Sequence, residues 1–387
     1  MHTNVKIKFL TFASSENDKR TWSGTVYMAY NALKNRYATV DFVCCSPKVP
    51  LWHKVICAFF RILKRSHLMN KTFAYNNSYL YRGLVARRLK NYDYDGYDIL
   101  FVVAHSVIVS ALPPTTIPVV YMTDSTYESL VNYYPEMSDI CSFSSRQAIK
   151  MNKEAWDKSR LIITSSVWAK ENAIKQYGIA EDKIEVVELG ANLAIKEEYH
   201  REIAYCDKTC LNIFFSGVDW VRKGGDVAVS CCKRLIDLGM NVKLTITGLS
   251  VPKEYETCSF INALGFLDKN NEKDYKSYIE ALQDSDLHIF PTRAECAGIV
   301  TCEAAAFGIP TITFDTGGVA NYVTNGVNGY RLPISATGED FAECIYKLYK
   351  NNELDSLSKG ALKVYKEKLN WNAWSDKVAS LLANKVL

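Results

Sequence analysis

The chain has 387 residues, of which 48% are hydrophobic and 23% are charged, and its formal net charge is +4. This length favours two domains, and this composition is that of an ordinary globular protein rather than a disordered or fibrous one. Its 12 cysteines form no CxxC pair, which favours reduced thiols over disulfides or zinc sites. No apolar stretch approaches the ~20 residues that span a bilayer, and no signal-peptide pattern opens the chain, so we expect a cytoplasmic protein.

Short apolar runs rich in β-forming residues alternate with helical segments in the first half of the chain. The predicted strands are, in order, VKIKFLTF, ATVDFVCC, DILFVVA, PVVYM, RLIITS and IEVVEL. This alternation is typical of a parallel sheet with helices on both faces. We therefore predict a first doubly wound domain over residues 1–190.

Polar residues of this half lie where predicted strands end or helices begin. Ser23 and Gly24 form a loop and helix cap after the first strand. His105 ends the strand DILFVVA, and Asp124 follows the next strand. Because ligands of parallel sheets bind at the carboxyl ends of strands, these residues are candidate ligand contacts. A buried structural histidine is the alternative for His105.

Positive charge is concentrated between residues 48 and 90. No acidic residue occurs between Asp41 and Asp93, whereas this interval contains ten lysines and arginines. Within it, LWHKVICAFFRILKR mixes apolar and basic residues at helical intervals, as in amphipathic helices that bind anionic membrane surfaces. A helix that packs on the core with its basic face in water explains the pattern equally well. No recognised motif supports nucleic-acid binding.

A second alternation of strands and helices follows an irregular stretch that runs from Gly190 to about Cys210. Its predicted strands are LNIFFSG, VKLTITG, INALGFL, DLHIF and TITF. This pattern predicts a second doubly wound domain over residues 191–370. Residues 371–387 are predicted to form a last helix.

Two cations follow the first strand of the second domain. Arg222 and Lys223 precede Gly224 and Gly225 at a predicted helix start. Cations beside the free backbone N–H groups of a helix N-terminus suit a diphosphate. A solvated surface pair is the alternative interpretation.

The most informative segment is PTRAECAGIVTCEAAAFGIP, residues 291–310. It places Glu295 and Glu303 around a turn of small residues that leads into a helix starting near Ile299. Glycine at 298 lets a ligand approach the backbone closely. Carboxylates near a helix start accept hydrogen bonds from sugar hydroxyls, while the backbone amides hold phosphate. The combination predicts a sugar-nucleotide site, although two glutamates at this spacing also occur in ordinary helical proteins.

This segment resembles the glutamate–seven residues–glutamate motif of retaining glycosyltransferases of family four. Similar family segments occur in the same order from about residue 5 to residue 375. The resemblance implies an α/β GT-B fold, in which two Rossmann-like doubly wound domains face a central cleft. It also implies an acceptor-binding N-terminal domain, a donor-binding C-terminal domain, and a last helix that crosses back to the first domain.

The resemblance implies roles for the candidate residues. The residues implied to be catalytic are His105, Arg222, Lys223 and Glu295. The residues implied to bind the donor are Ser23, Gly24, Cys296, Ala297, Gly298, Ile299, Glu303, Gly317 and Gly318. Asp124 is implied to contact the acceptor. The chain departs from the family at Val218, where many members have an arginine, and at Cys296–Ala297, where a glycine and an aromatic residue are usual.

The activity that the resemblance implies is transfer of a sugar, with retention, from a UDP- or GDP-linked donor to a glycan or lipid-linked acceptor, as in surface polysaccharide or glycoconjugate assembly. The departing phosphate oxygen would accept the acceptor's proton, and no metal or other cofactor is expected to be obligatory. The basic region 48–90 favours an acceptor at the inner face of the plasma membrane, where the protein would bind peripherally.

Two other interpretations stay open. A catalytically inactive GT-B protein that binds glycans or serves as a chaperone subunit is compatible with the departures at Val218 and Cys296–Ala297. A sugar-nucleotide epimerase or a phosphorylase on the same fold would transfer nothing to an added alcohol acceptor.

Overall fold

The computed structural model describes residues 3–66, 68, 70–205 and 208–387, so Cys206 and residues 67 and 69 of the basic region lie outside the described residues. The chain divides into two compact units. Unit 1 comprises Met1–Val187 together with Ser375–Leu387, and unit 2 comprises Glu188–Trp374. Among the described residues, none of the helices combines the length and the apolar character needed to cross a membrane.

Unit 1 is built on a six-stranded parallel sheet, and its six predicted strands are confirmed. The strands, which lie in the order 2-1-3-4-5-6, are β1 (Thr3–Thr11), β2 (Tyr37–Cys44), β3 (Ile99–Val103), β4 (Val119–Thr123), β5 (Leu161–Thr164) and β6 (Ile184–Val186). The helices of residues 1–187 are α1 (Thr25–Lys34), α2 (Leu51–Arg65), α3 (Tyr79–Leu89), α4 (Ser106–Ala111), α5 (Tyr127–Leu130), α6 (Pro135–Ser138), α7 (Ser142–Lys158) and α8 (Val167–Tyr177).

The central strands of unit 1 are buried on both faces because helices cover the sheet. Every residue of β3, β4 and β5 is buried, as is typical of parallel sheets whose strands read as continuous apolar runs. The rings of Phe9 on β1 and Phe101 on β3 stack with their centres 6.0 Å apart. This packing fixes the carboxyl ends of β1 and β3 next to each other.

Unit 2 contains a second parallel sheet, in the order 12-11-10-7-8-9. Its strands are β7 (Leu211–Ser216), β8 (Val242–Thr247), β9 (Ile261–Gly265), β10 (Leu287–Phe290), β11 (Thr311–Phe314) and β12 (Gly329–Leu332). The remaining helices are α9 (Trp220–Lys223), α10 (Gly225–Asp237), α11 (Glu272–Gln283), α12 (Ile299–Ala306), α13 (Gly338–Lys350), α14 (Leu354–Glu367) and α15 (Trp371–Lys385). Counted within the unit this is the Rossmann order 3-2-1-4-5-6, whose strand order reverses between β7 and β10, where ligands bind.

The structure differs from the sequence prediction in two places of unit 2. Strand β12 was not predicted, and it pairs with β11 at the edge of the sheet. The stretch expected to be an irregular connection after Gly190 contributes Leu193, Ile203 and Tyr205 to the hydrophobic core of unit 2. The Tyr205 hydroxyl donates a 2.6 Å hydrogen bond to the carbonyl of Asp286. This stretch is therefore a packed part of the unit.

Most of α15 belongs to unit 1. Asp376 forms an ion pair with Arg36, and Lys385 forms one with Glu185. Both partners lie on the N-terminal part of the chain, so the last helix packs on the unit whose sheet begins the protein.

Candidate functional site

The point where the strand order of unit 2 reverses brings Lys223 and Glu295 together. Lys223 ends α9 shortly after β7, and Glu295 lies in the loop that follows β10. The Lys223 ammonium donates a hydrogen bond to Oε2 of Glu295, and the two side chains are only 12% and 14% exposed. Lys223 Nζ also lies 4.6 Å from the centre of the Phe290 ring. A sheltered cation therefore stands at the carboxyl ends of two neighbouring strands.

A glycine allows these two loops to approach each other. Gly224 has φ +75°, and a Cβ there would lie 2.1 Å from the carbonyl oxygen of Pro291. The N–H of Arg293 donates a 2.7 Å hydrogen bond to the Arg222 carbonyl, which joins the loops further. Only glycine combines this left-handed conformation with such close contact at no steric cost.

Arg222 lies beside Lys223 but makes a different contact. Its Nη1 donates a 3.2 Å hydrogen bond to the carbonyl of Ala294. The structure therefore brings Arg222, Lys223 and Glu295 into one pair of neighbouring loops. Val218, the position where an arginine is usual, is 68% exposed.

The small residues that were predicted to contact a donor surround Glu295. Cys296 and Ala297 are buried, and Gly298, with φ +117°, caps α12, which begins at Ile299. The N–H of Gly318, in the turn Gly317–Asn321, donates a 3.0 Å hydrogen bond to the Glu295 carbonyl. These residues and Gly317 thus form one loop cluster at the N-terminus of α12, where backbone N–H groups favour anions.

Glu303 is buried and fully paired. It is 1% exposed; its Oε1 lies 2.5 Å from Lys269 Nζ, and its Oε2 accepts a 2.7 Å hydrogen bond from the Tyr278 hydroxyl. Burial, followed by the charge of Glu303, raises the pKa of Tyr278 well above its ordinary value. Sequence reasoning missed Lys269 and Tyr278. A ligand hydroxyl that approaches Glu303 must share or replace these contacts.

In unit 1, Ser23 and Gly24 lie in a strained turn. Trp22, Ser23 and Gly24 have φ values of 50°, 55° and 90°, and consecutive left-handed residues other than glycine persist only when their surroundings hold them. Asp18 accepts hydrogen bonds from the N–H groups of Arg20 and Thr21 at 2.9 and 3.2 Å. Burial opposes ionisation of Asp18, but these and other hydrogen bonds outweigh it and lower its pKa to about 2.

Asp124 is tied to the same turn. Trp22 Nε1 donates a 3.1 Å hydrogen bond to Oδ2 of Asp124, and the Ser125 hydroxyl donates a 3.1 Å bond to Oδ1. No pattern in the sequence marks Trp22, which lies 102 residues away from its partner. Asp124 is therefore oriented by the strained turn that also contains Ser23.

His105 follows β3 and precedes α4. Its neighbour Ala104 has φ +70°, and the rings of His105 and Phe12 are 4.6 Å apart. Burial lowers the pKa of His105 to about 4, so the imidazole is neutral near pH 7. The structure places His105 at the carboxyl end of a central strand, as predicted.

Possible metal ligands do not cluster in the part of the chain that the structure describes. No group of three His, Cys, Asp or Glu side chains there is arranged to hold a metal ion. The independence from metal and other cofactors stays a prediction.

Solved structures with the same architecture identify the fold. HepE from Anabaena, in complex with UDP and glucose, matches with a TM-score of 0.62 and 16% identity over 98% of this chain and 100% of its own. WaaG, a glycosyltransferase involved in lipopolysaccharide biosynthesis, matches with a TM-score of 0.66 and 14% identity over 98% and 100% of the two chains. The fold is GT-B. The predicted fold class is thus confirmed.

Sequence comparisons agree with the GT-B assignment. Residues 200–364, less than half of the chain, match the family model for glycosyl transferases group 1. The capsular polysaccharide biosynthesis glycosyltransferase CapM of Staphylococcus aureus is 27% identical over 226 residues, 56% of each chain. D-inositol 3-phosphate glycosyltransferase of Paenarthrobacter aurescens is 26% identical over 203 residues, 49% of each. The chain spans about half the length of the curated relatives it matches. These matches support the GT-B glycosyltransferase family, whereas membership of family four stays a prediction.

Proposed function

We propose that this protein transfers a sugar from a nucleoside-diphosphate sugar to a glycan or lipid-linked acceptor, with retention of the anomeric configuration. The observation that carries the proposal is the Lys223–Glu295 pair, which lies where the strand order of unit 2 reverses. Beside it, the loop of Cys296 to Gly298 leads into the N-terminus of α12. A cation and the N-terminus of a helix at such a point suit the diphosphate of a donor.

The comparisons support a uridine nucleotide as the donor's leaving group. HepE structures contain UDP with glucose, UDP, and UDP-glucose. CapM is named for capsular polysaccharide biosynthesis, and WaaG for lipopolysaccharide biosynthesis. By analogy we propose UDP-glucose as the first donor to assay and a surface polysaccharide precursor as the class of acceptor.

In the proposed chemistry, the protein acts mainly by stabilising the leaving group. As the glycosidic bond to the diphosphate breaks, negative charge develops on the phosphate oxygens. Lys223 and the backbone N–H groups near Gly298 stabilise that charge in a sheltered site. The acceptor hydroxyl attacks the same face of the sugar, and the departing phosphate oxygen takes its proton. Glu295, which holds Lys223 in place, positions the cation and contacts the donor sugar.

Kinetics of two variants test this assignment. Lys223→Ala should lower kcat by about 100-fold or more with a smaller change in KM, because the lost interaction grows as the bond breaks. Glu303→Gln should instead weaken UDP binding. Lys243→Ala, an exposed lysine of the same unit, is the matched control. If Lys223→Ala and Glu303→Gln both behave like the control, the donor site is wrongly assigned.

A non-catalytic GT-B protein is the second candidate. Val218, at the position where an arginine is usual, carries no charge, and Arg222 Nη1 donates a hydrogen bond to the Ala294 carbonyl. Slow hydrolysis of UDP-glucose that depends on Lys223 would favour the enzyme. UDP-glucose binding without hydrolysis or transfer would favour the non-catalytic protein.

We further propose that unit 1 binds an anionic membrane surface through the outer face of α2. The inner face of this 15-residue helix packs on unit 1: Phe60 stacks on Phe73 at 4.0 Å, and Lys64 pairs with Asp139. None of the residues of α2 is buried. The exposed large apolar residues of the helix are Leu51, Trp52, Val55, Phe59 and Ile62. The exposed cations at their border are Lys54, Arg61 and Arg65.

This arrangement is that of an interfacial helix, whose apolar stripe enters the bilayer while the cations meet anionic headgroups. Each cation near such a surface contributes about 1 kcal/mol. Replacing Lys54, Arg61 and Arg65 by Gln should therefore reduce binding to phosphatidylglycerol vesicles about 100-fold, and added salt should reduce it as well. The control replaces three exposed lysines of unit 2, Lys243, Lys363 and Lys366. Unchanged binding, or equal binding to phosphatidylcholine, contradicts the proposal.

A further inference from the structure

Glu303 is a buried carboxylate in the second turn of α12. Burial favours the protonated form of a carboxyl group unless a cation or hydrogen bonds favour the charged form. The two forms differ as ligand contacts, because an ionised carboxylate accepts hydrogen bonds at both oxygens, whereas a protonated one uses one oxygen as a donor. What Glu303 offers to a ligand hydroxyl therefore depends on the group that compensates its charge.

Lys269 supplies that compensating charge. Its Nζ lies 2.5 Å from Oε1 of Glu303, and the Tyr278 hydroxyl donates a 2.7 Å hydrogen bond to Oε2. Lys269 Nζ also lies 4.6 Å from the centre of the Tyr278 ring. The tyrosine contributes a neutral donor and the lysine a full positive charge, so Lys269 is the contact that favours ionised Glu303 most strongly.

The two contacts leave Glu303 able to accept more hydrogen bonds. Lys269 and Tyr278 each use one lone pair, on different oxygens of the carboxylate. A carboxylate has about four lone-pair sites, so each oxygen can accept one further hydrogen bond. Two neighbouring hydroxyls, such as those of a ribose, match this pair of free sites. Lys269 therefore does not have to leave Glu303 when a nucleotide binds.

Hydrogen bonds on both sides of Lys269 fix its loop, which connects β9 to α11. The N–H of Asp268 donates a 3.0 Å hydrogen bond to Oδ2 of Asp274, and the N–H of Asn270 donates a 3.0 Å bond to Oδ1 of Asp268. The Asn271 side chain caps the N-terminus of α11. Because the backbone is already held, less conformational entropy is lost in bringing the lysine to Glu303.

Other titratable side chains near Glu303 stay neutral around pH 7. Tyr275 and Tyr278 on α11 and Cys302 on α12 all experience the charge of Glu303. Burial is the main cause that raises the pKa of each of the three above its ordinary value. None of them therefore gains or loses a proton between pH 5 and pH 8, and Lys269 remains the charged partner of Glu303 in this range.

We propose that Lys269 is a positioning residue of the donor site, which keeps Glu303 ionised and oriented so that this carboxylate accepts hydrogen bonds from the ribose hydroxyls of the nucleotide. This inference rests on the proposed glycosyl transfer and adds a residue that acts on the nucleotide through Glu303. Its consequence is that nucleotide affinity stays constant over the pH range in which a buried carboxyl without a cation takes up a proton.

Calorimetric titration with UDP-glucose between pH 5 and pH 8 tests the inference, because the two phosphates of this probe do not titrate in that range. From pH 8 to pH 5, Lys269→Met should lose about tenfold more affinity than the wild type, since a charged acceptor makes a stronger hydrogen bond than a neutral one. Lys269→Arg keeps the cation and should follow the wild type. The control Lys276→Met, which breaks an exposed ion pair with Glu280 on α11, should follow it as well.

Urea denaturation without nucleotide tests the same charge independently. The stability loss of Lys269→Met should be smaller at pH 5 than at pH 8, because protonation removes the unpaired charge of Glu303. Lys269→Gln, which keeps a hydrogen-bond donor without the charge, replaces the methionine variant if that variant does not fold. The inference is overturned, and the donor site kept, if UDP-glucose binds the wild type but Lys269→Met shows the same pH profile. Absence of UDP-glucose binding by the wild type overturns both.

Discussion

Replacing Lys269 by methionine should destabilise unit 2, because it leaves a carboxylate buried without its cation. Glu303 is 1% exposed, with Lys269 Nζ 2.5 Å from one oxygen and the Tyr278 hydroxyl 2.7 Å from the other. Lys269 Nζ also lies 4.6 Å from the centre of the Tyr278 ring. Methionine keeps the apolar length of the side chain and removes the charge.

The size of the expected stability loss follows from how deeply Lys269 and Glu303 are each buried. Breaking a buried ion pair by removing one partner costs about 3–5 kcal/mol. The Lys269 side chain is 25% exposed, so water can partly replace the ammonium, and Tyr278 still donates to Glu303. We therefore expect a loss of about 2–3 kcal/mol in the free energy of unfolding, a large part of the ~5–15 kcal/mol that holds a typical domain.

Urea denaturation of a double-mutant cycle measures this loss. Lys269→Met should lose far more stability in the Glu303 background than after Glu303→Gln, which gives a coupling energy of about 2 kcal/mol. The control is Lys276→Met, which breaks an exposed pair with Glu280 at 3.7 Å on α11 and should cost less than ~1 kcal/mol. Additive effects, or a Lys269→Met variant no less stable than the control, would refute this reasoning.

Two further predictions concern the surroundings of Lys223. Gly224→Ala should lower the free energy of unfolding by about 2–4 kcal/mol, because it adds a clash with Pro291 to the strain of the left-handed conformation. The control Gly96→Ala, at φ +76° in open space, should lower it by only ~1 kcal/mol. Equal losses of the two variants in chemical denaturation would contradict the close approach of Gly224 to Pro291. Burial, followed by the charge of Lys223, lowers the pKa of His288 to about 3 from 6.5. Because the folded protein favours the neutral imidazole, the contribution of His288 to stability is complete above pH 6.5 and is lost as the pH falls toward 3. The free energy of unfolding should have decreased by about 2 kcal/mol at a pH near 5. His288→Gln should flatten the decrease of Tm with acidification, and an unchanged slope would show that His288 is not its source.

The sequence was sufficient for most of the fold. Eleven of the twelve strands were predicted, because they are apolar runs bounded by turn residues. The exception is β12, the tetrapeptide GYRL at the edge of the sheet. Because an edge strand pairs with only one neighbour, here β11, it is less buried and its sequence lacks the apolar run of a central strand. The stretch after Gly190 predicts an irregular connection, because its single apolar residues, such as Ile203, carry no periodic signal.

Only part of the candidate site could be predicted from the sequence. Glu295, Glu303 and Lys223 stand in recognisable strand–loop–helix contexts, and the structure places them in unit 2 as expected. The partners of Glu303 were missed because Lys269 lies 34 residues away, in the loop between β9 and α11, and nothing local marks such a contact.

Binding of nucleoside diphosphates is the most direct test of the proposed donor site in unit 2. Thermal unfolding of the wild-type chain is followed with UDP, GDP, ADP, TDP and CMP, and then with Glu303→Gln in the presence of the best ligand. At 100 times its dissociation constant, a ligand adds about 2.7 kcal/mol to the stability of the folded state. We expect a selective rise in Tm with one nucleoside diphosphate, and this rise should be smaller in Glu303→Gln. No rise with any nucleotide, or a rise that Glu303→Gln leaves unchanged, would contradict a donor site in unit 2.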